Sequence, residues 1–319
     1  MTPAMKTDTL KRRIRFDTPN PLVGRLHLTE ADHLIFEAIA RHGPLPTNYL
    51  YEFTKHIRKD YSHLQNRLTE FYNGDGQGPY LTRPPQQFSG FHARYSHIVY
   101  DLAPRARKAL AERGTLPHIG PRRTDPFLHQ LMQACVGASL ETHAPHHNIR
   151  YIPRPEILAH PRLGDARHAK NPMALPLRAS HSATLIPDDL FGFEYPGVGF
   201  RFFAVEIDRN TESIERTNLA YNSIGKKVAG YLEALHGKIH RQWWGIPNLT
   251  ILIVTTNATH ARNILDYVQK QGDPKYGGRF AIITTSVFGA NWRVPKDILH
   301  HLLDEDWSTT SGAKRISEA

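Results

Sequence analysis

A single cysteine, Cys135, stands in a chain of 319 residues. That excludes an internal disulfide framework and any zinc site built from several thiolates, and it fits a reducing compartment. No apolar run approaches the roughly 18 residues that a membrane-spanning helix needs. The opening stretch carries Lys6, Lys11, Arg12, Arg13 and Arg15 but no apolar signal core, so it does not read as an export signal. There is no GxxxxGK[ST] loop to cradle a nucleotide phosphate, no internal repeat and no long low-complexity tract. Acidic side chains are in deficit: 30 Asp plus Glu against 40 Lys plus Arg leave a formal charge of +10. Such a surplus favours a polyanionic partner without proving one. With 40% hydrophobic residues the chain can bury a real core. The reading is a soluble, basic, cytoplasmic protein long enough for two domains.

The two halves differ in pattern. Residues 1–24 are polar and basic, broken by Thr18-Pro19-Asn20-Pro21, and are expected to form a flexible arm. From Leu28, apolar positions Leu28, Ala31, Leu34, Ile35, Ala38 and Ile39 share one helical face, with Thr29 placed to cap and Gly43-Pro44 to stop. A second helix is predicted over 46–57 and a third over 62–73, the latter burying Leu64, Leu68, Phe71 and Tyr72. Extended pieces near 80–83 and 96–102 flank a polar loop, and a further helix covers 104–113. Three helices, a β-hairpin and a closing helix are the order of a winged helix, which sets its third helix in the DNA major groove and its hairpin loop on the backbone. The third helix leaves His63, Gln65, Asn66, Arg67 and Thr69 outward, and Gln, Asn and Arg can bond base edges in pairs. Arg83 and Arg94, at the hairpin, complete the candidate DNA-contacting set. The alternative is a small helical protein-interaction domain with a solvated polar face.

The organisation expected is therefore an arm (1–24), a winged-helix domain (25–116), a linker (117–124), an α/β domain (125–305) and a disordered tail (306–319). In the second half the pattern gives a helix over 125–142, a strand over 148–152, loop over 153–182, and extended segments over 183–193 and 200–208 around the turn Glu194-Tyr195-Pro196-Gly197. A long helix over 214–240, a strand over 249–255, a helix over 260–270 and a β-rich run over 279–287 follow.

The residues that could carry chemistry lie on those two extended segments. Strand side chains alternate, so Glu206 and Asp208 share one face while Val205 and Ile207 share the other. If the segments pair as a hairpin, Asp188 comes beside Glu206. Carboxylates crowded in this way repel unless a cation separates them, and hard oxygen ligands select Mg²⁺ or Mn²⁺. On the long helix, Lys227 sits one turn from both Ile224 and Tyr231, at the edge of a buried stripe, whereas Lys226 is rotated about 100° away. Lys227 is thus the lysine that can reach the carboxylates.

The order α-β-β-β-α-β, with Pro187-Asp188 on one strand and Glu206-x-Asp208 on the next, resembles the PD-(D/E)XK nuclease fold. More narrowly, Pro187-Asp188, Val205-Glu206-Ile207-Asp208-Arg209-Asn210-Thr211-Glu212 and Lys227-Val228-Ala229-Gly230-Tyr231 resemble the bacterial replication-relaxation family, related to MobC-type mobilisation proteins. The resemblance spans roughly residues 28–290. It implies an N-terminal winged helix joined to a nuclease-like domain. It further implies Asp188, Glu206 and Lys227 as catalytic residues, with Asp188, Glu206 and Asp208 as ligands of Mg²⁺ or Mn²⁺. One departure is clear: the third position of the general nuclease motif, usually Lys, is Asp208, and Lys227 on the following helix is the candidate replacement. No His-hydrophobic-His triplet occurs, so a relaxase of the two-histidine, tyrosine-nucleophile type is unsupported.

Two functions follow from this reading. One is a metal-dependent DNA endonuclease or nickase in plasmid or integrative-element mobilisation or replication initiation. The other is a catalytically inactive DNA-binding accessory factor or transcriptional repressor on a degenerate nuclease core. A host-defence nuclease is a third, weaker option. Double-stranded DNA is the expected partner, with other relaxosome or conjugation proteins and a second copy of the chain left open. Weaker signals are His129, the group His143, His146 and His147, the pair Trp243-Trp244, and the basic loop with Arg150, Arg154, Arg162, Arg167, Lys170 and Arg178.

Overall fold

The computed structural model describes residues 19–58, 60–88, 96–115, 126–177, 184–209, 223–271, 273 and 275–318. The N-terminal unit consists of α1 (Glu30–His42), β1 (Leu45–Pro46), α2 (Thr47–Thr54), α3 (Tyr61–Asn73), β2 (Leu81–Thr82), β3 (Val99–Leu102) and α4 (Pro104–Arg113). Its three strands pair in the order β1-β3-β2, all antiparallel. Each helix starts and stops where local chemistry dictates. The Asp32 carboxylate reaches back to the Thr29 amide at 2.8 Å, and Asp60 caps α3 by accepting from the Ser62 amide at 2.8 Å. Gly114 ends α4 in the left-handed conformation that glycine alone adopts without strain.

The remainder is built on one sheet. After α5 (Phe127–His143) come β4 (Arg150–Ile152), α6 (Arg154–Ala159), β5 (Leu175–Pro176), β6 (Thr184–Leu185), β7 (Asp189–Tyr195) and β8 (Gly199–Asp208). Then follow α7 (Ser223–His236), α8 (Ile239–Trp244), β9 (Thr250–Thr255), α9 (Ala258–Lys270), β10 (Phe280–Thr284), α10 (His301–Asp304), β11 (Trp307–Thr309) and β12 (Gly312–Lys314). Seven strands pair in the order β12-β11-β10-β9-β8-β7-β4, with β8-β9 and β9-β10 parallel and the others antiparallel. The chain is a mixed α/β protein.

The two-residue period of the strands divides the core. Phe191, Phe193, Phe203, Val205, Ile207, Leu252 and Val254 face α5 and the N-terminal unit. Leu190, Ala204, Ile251, Ile253 and Ile282 face the opposite layer of α7, α8 and α9. The first of these cores runs without interruption from Ile35, Leu50 and Leu68 of the N-terminal unit into Leu131, Cys135 and Leu140 of α5. The two units are packed together, not strung as separate beads. His42 of α1 bonds Glu141 of α5 at 2.6 Å, and a Cβ on Gly137 would stand 2.7 Å from the His42 ring, so this crossing needs glycine. Cys135 is wholly buried there, and burial pushes its thiol far above the usual range, which removes it from redox chemistry.

Several expectations are corrected. The tail from 306 is ordered where described: β11 and β12 extend the sheet, Trp307 is fully buried with its Nε1 donating to Leu302 O at 2.9 Å, and Ile316 is buried. Large apolar side chains so few and so widely spaced carry no periodic signal, although each finds a pocket. The stretch expected as loop contains α6, started by Pro155 in its first turn. The extended segment over 183–193 divides at Ile186-Pro187, because β6 pairs with β5 in a separate two-stranded sheet while β7 joins the main one. The long helix breaks at Gly237-Lys238, where Lys238 takes a positive φ of 53° before α8 begins. The arm up to residue 18, most of the hairpin loop including Arg94, the expected linker 117–124 and the start of the long helix lie outside the described residues.

Candidate active site

Asp188, Glu206 and Lys227 are brought together at one end of the β7-β8 pair. Antiparallel pairing sets Asp189 opposite Val205, which puts Asp188 at the level of Glu206. The Asp188 amide donates to Val205 O at 3.0 Å and its Oδ2 accepts from the Ile207 amide at 2.8 Å, so the carboxylate is clamped across the strand pair. From α5, Gln133 donates to Asp188 O at 2.5 Å and His129 Nε2 lies 3.5 Å from Asp188 Oδ1. The His129 contact is electrostatic and lacks the geometry of a full hydrogen bond. From the opposite layer, α7 buries Ile224, Val228 and Tyr231 against the sheet, and this phase turns Lys227 inward. Lys227 Nζ contacts Glu206 Oε2 directly and stands 3.6 Å from Asp188 Oδ2. Tyr231 OH donates to Glu206 Oε1 at 2.5 Å.

Charge is strongly divided between the two acids. Burial works to raise Asp188, but His129, Lys227 and the Ile207 amide outweigh it and hold the carboxyl at about 2. Glu206 is almost completely inaccessible, and there burial prevails: helped by the nearby Asp188 and opposed by Lys227 and Tyr231, it lifts the carboxyl to about 7. The two neighbouring acids are thus pushed in opposite directions, Asp188 down by its cationic and amide partners and Glu206 up by burial. Mg²⁺ or Mn²⁺ fits these donors, since Asp188 and Glu206 offer hard oxygens and the ammonium against both shows that positive charge is accommodated between them. Both oxygens of Glu206 already accept, from Lys227 and Tyr231, so a cation there would compete with Lys227 for Glu206 Oε2.

Asp208 shares the face of Glu206 as expected, but its Oδ2 is bonded to His260 Nε2 of α9 at 2.8 Å. Sequence reading missed His260 because nothing local ties it to a strand 52 residues away. Tyr231 was legible as part of the buried stripe and as the end of the Lys227-x-x-x-Tyr231 motif, but its bond to Glu206 was not; the four-residue spacing from Lys227 was the available sign that both reach one carboxylate.

The replication-relaxation family model matches residues 36–249, well over half of the chain, and the match includes His129, Asp188, Glu206, Asp208, Lys227 and Tyr231. The chain belongs to the replication-relaxation family. No curated protein and no solved structure matches it. Membership in this family points to a role in replication or mobilisation and to a DNA-related function. Among the described residues no helix is long and apolar enough to cross a membrane.

The candidate DNA-contacting residues separate into two groups. His63, Gln65 and Asn66 are exposed on α3. Arg67 is engaged inside the fold: it bonds the fully buried Asp32 at 2.8 Å, Glu70 at 2.8 Å and His27 O at 2.5 Å. Arg83 is likewise buried, stacked 4.0 Å over the Tyr72 ring and bonded to Tyr100 OH at 2.9 Å. Helix phase alone sets Arg67 outward, but a long guanidinium side chain bends back when a buried carboxylate lies within reach. The basic loop is also partly neutralised: Arg150 pairs with Glu156 and Glu194, Arg154 with Asp189 at 3.0 Å, and Arg167 caps backbone carbonyls. Trp243 and Trp244 both donate to Pro172 O at 2.9 Å, packing α8 onto the loop before β5.

Proposed function

We propose that this chain is a metal-dependent DNA endonuclease or nickase acting in plasmid or integrative-element mobilisation or in replication initiation. The observation that carries the reading is the convergence of Asp188, Glu206 and Lys227 from two adjacent strands and the following helix. In this reading α5, β4, β7, β8, α7 and β9 are a PD-(D/E)XK nuclease-like core. The N-terminal unit is a winged helix, supported by its element order and its β1-β3-β2 sheet. It would present His63, Gln65 and Asn66 of α3 to double-stranded DNA, while Arg67 and Arg83 brace the unit itself.

Asp188 and Glu206 would hold Mg²⁺ or Mn²⁺, with Asp208 able to join if His260 shares it. When bound, such an ion polarises the scissile phosphate and acidifies a coordinated water. The chain's own residues do the rest. Lys227, held on a long stem with its head beside both acids, neutralises charge that grows on the phosphate in the transition state. Tyr231 fixes the orientation of Glu206, and His129 with the Ile207 amide keeps Asp188 ionised. Lysine at this place does from the helix what the usual strand lysine does from the position held by Asp208.

One observation favours the second reading, a DNA-binding accessory factor or repressor. Lys227 and Tyr231 between them engage both oxygens of Glu206, as in a buried ion pair kept for structure. Supercoiled plasmid carrying the parent element's candidate origin, incubated with Mg²⁺, Mn²⁺ or EDTA, separates the two. The expected result is metal-dependent open circles, lost in Asp188→Ala and Lys227→Ala. Intact plasmid under every metal, with a specific gel shift retained, selects the accessory factor.

A further inference from the structure

We propose that His143, His147 and Asp304 form a second metal site, one for a divalent transition metal of the zinc and cobalt type. It lies at the end of α5 remote from the candidate active site. His143 closes α5, the short turn Ala144–His147 carries the second imidazole round, and α10 supplies the carboxylate. Both Nε2 atoms stand 2.9 Å from the same oxygen, Asp304 Oδ1, and the three ligand atoms lie within 4.8 Å of one another. The spacing His-x3-His places two imidazoles on one side of a helical turn, a pattern that zinc-class ions use. Two imidazole nitrogens and one carboxylate oxygen are a borderline donor set, suited to Zn²⁺, Co²⁺ or Ni²⁺, whereas Mg²⁺ and Ca²⁺ favour oxygen alone.

The surroundings are those of a ligating histidine. His143 Nδ1 is 3.3 Å from His300 Nδ1, so the outer nitrogen of the ring has a partner that fixes its orientation. Without an ion, His143 Nε2 donates to Asp304 Oδ1; with an ion bound, the ring proton would move to Nδ1 and face His300, leaving the Nε2 lone pair for the metal. The side-chain exposure rises from 11% at His143 to 27% at His147 and 46% at Asp304, which leaves a solvent side for entry and for a water in the remaining coordination position. A bound ion would tie α5 to α10, and β11 follows α10 directly. The C-terminal hairpin would then be fastened to the helix that also carries His129 and Gln133, about 21 Å and about 15 Å away along its axis. None of the three ligands belongs to the candidate active site, so this inference stands or falls independently of the nuclease reading.

The test uses the full chain without an affinity tag, metal-stripped, and carrying Asp188→Ala to disable the other carboxylate pair. Titration with Co²⁺ is followed by its visible d–d absorption, and Zn²⁺ binding by calorimetry. The expected result is one tight equivalent, a cobalt band typical of nitrogen and oxygen ligands, and a rise in Tm of about 5 °C at saturation, with no response to Mg²⁺. Adding His147→Ala or Asp304→Asn should weaken binding by about 100-fold or more and abolish both the band and the Tm rise. These two side chains are partly exposed, so either variant should fold, as circular dichroism would verify. Absence of stoichiometric binding in the Asp188→Ala chain, or unchanged affinity in the folded variants, would show an ordinary pair of histidine–aspartate hydrogen bonds and overturn the proposal.

Discussion

Glu206 is held by a cation on one oxygen and a phenol on the other, in a place that water does not reach. Removing one partner from such a buried group costs more than the pair contributes, because the survivor keeps its desolvation penalty. Lys227→Met leaves Glu206 and Asp188 facing each other with no positive charge between them. In EDTA this variant should lose about 3 kcal/mol of stability. Mg²⁺ should then raise its Tm by more than it raises that of the native chain, since the ion no longer competes with an ammonium. The variant should nevertheless fail to cut DNA. Thermal melts of both proteins with and without Mg²⁺ check this; an equal metal response in the two would mean that Lys227 does not guard the cation position.

At the scale of elements, α5 is the member that links everything else. It meets α1 through Gly137 and the His42–Glu141–Arg41 group, α2 through Ser139 beside Tyr49, and the candidate active site through His129 and Gln133. Burial tends to raise Glu141, but His42 and Arg41 outweigh it and depress its carboxyl below the ordinary value. A depressed carboxyl contributes stability that is complete above the unfolded-state value near 4.3 and is lost as pH falls through the folded-state value. Glu141→Gln should therefore cost about 1–3 kcal/mol at pH 7. Its deficit should shrink in more acid solution, where the native carboxylate itself becomes protonated. Urea denaturation of the two proteins at pH 7 and at about pH 3.5 measures the difference at each end. A constant deficit would show that the ion pair is not what Glu141 contributes.

At the scale of the whole molecule, the N-terminal unit and the sheet domain share a core, and the C-terminal residues complete the sheet instead of trailing from it. Tyr195 OH donates to Ile316 O at 2.6 Å, and Trp307 fills a pocket beside Leu302 and Leu303. Deleting residues 306–319 removes a buried tryptophan and an isoleucine along with two strands. The expected loss is about 4 kcal/mol or more, seen as a Tm lower by about 10 °C and increased binding of a hydrophobic dye. A truncated chain that melts like the native one would show that the hairpin adds nothing to the core.

Local periodicity carries a defined part of this architecture. The helices of the N-terminal unit, the division of β8 into Glu206 and Asp208 on one face and Val205 and Ile207 on the other, and the inward turn of Lys227 all follow from a period of 3.6 or 2. Which polar partner each of these groups finds depends on long-range packing. Arg67 turns to Asp32, 35 residues away, Asp208 to His260, 52 away, and His143 to Asp304, 161 away. The same holds for Trp307 and Ile316, which read as isolated apolar residues in a polar tail; Trp307 is buried on the strand that pairs with β10, and Ile316 where its carbonyl meets Tyr195 of β7. Backbone periodicity is set by neighbours along the chain. The pairing of a buried charge is set by whatever distant segment the packing brings within about 3 Å, and no local pattern encodes that choice.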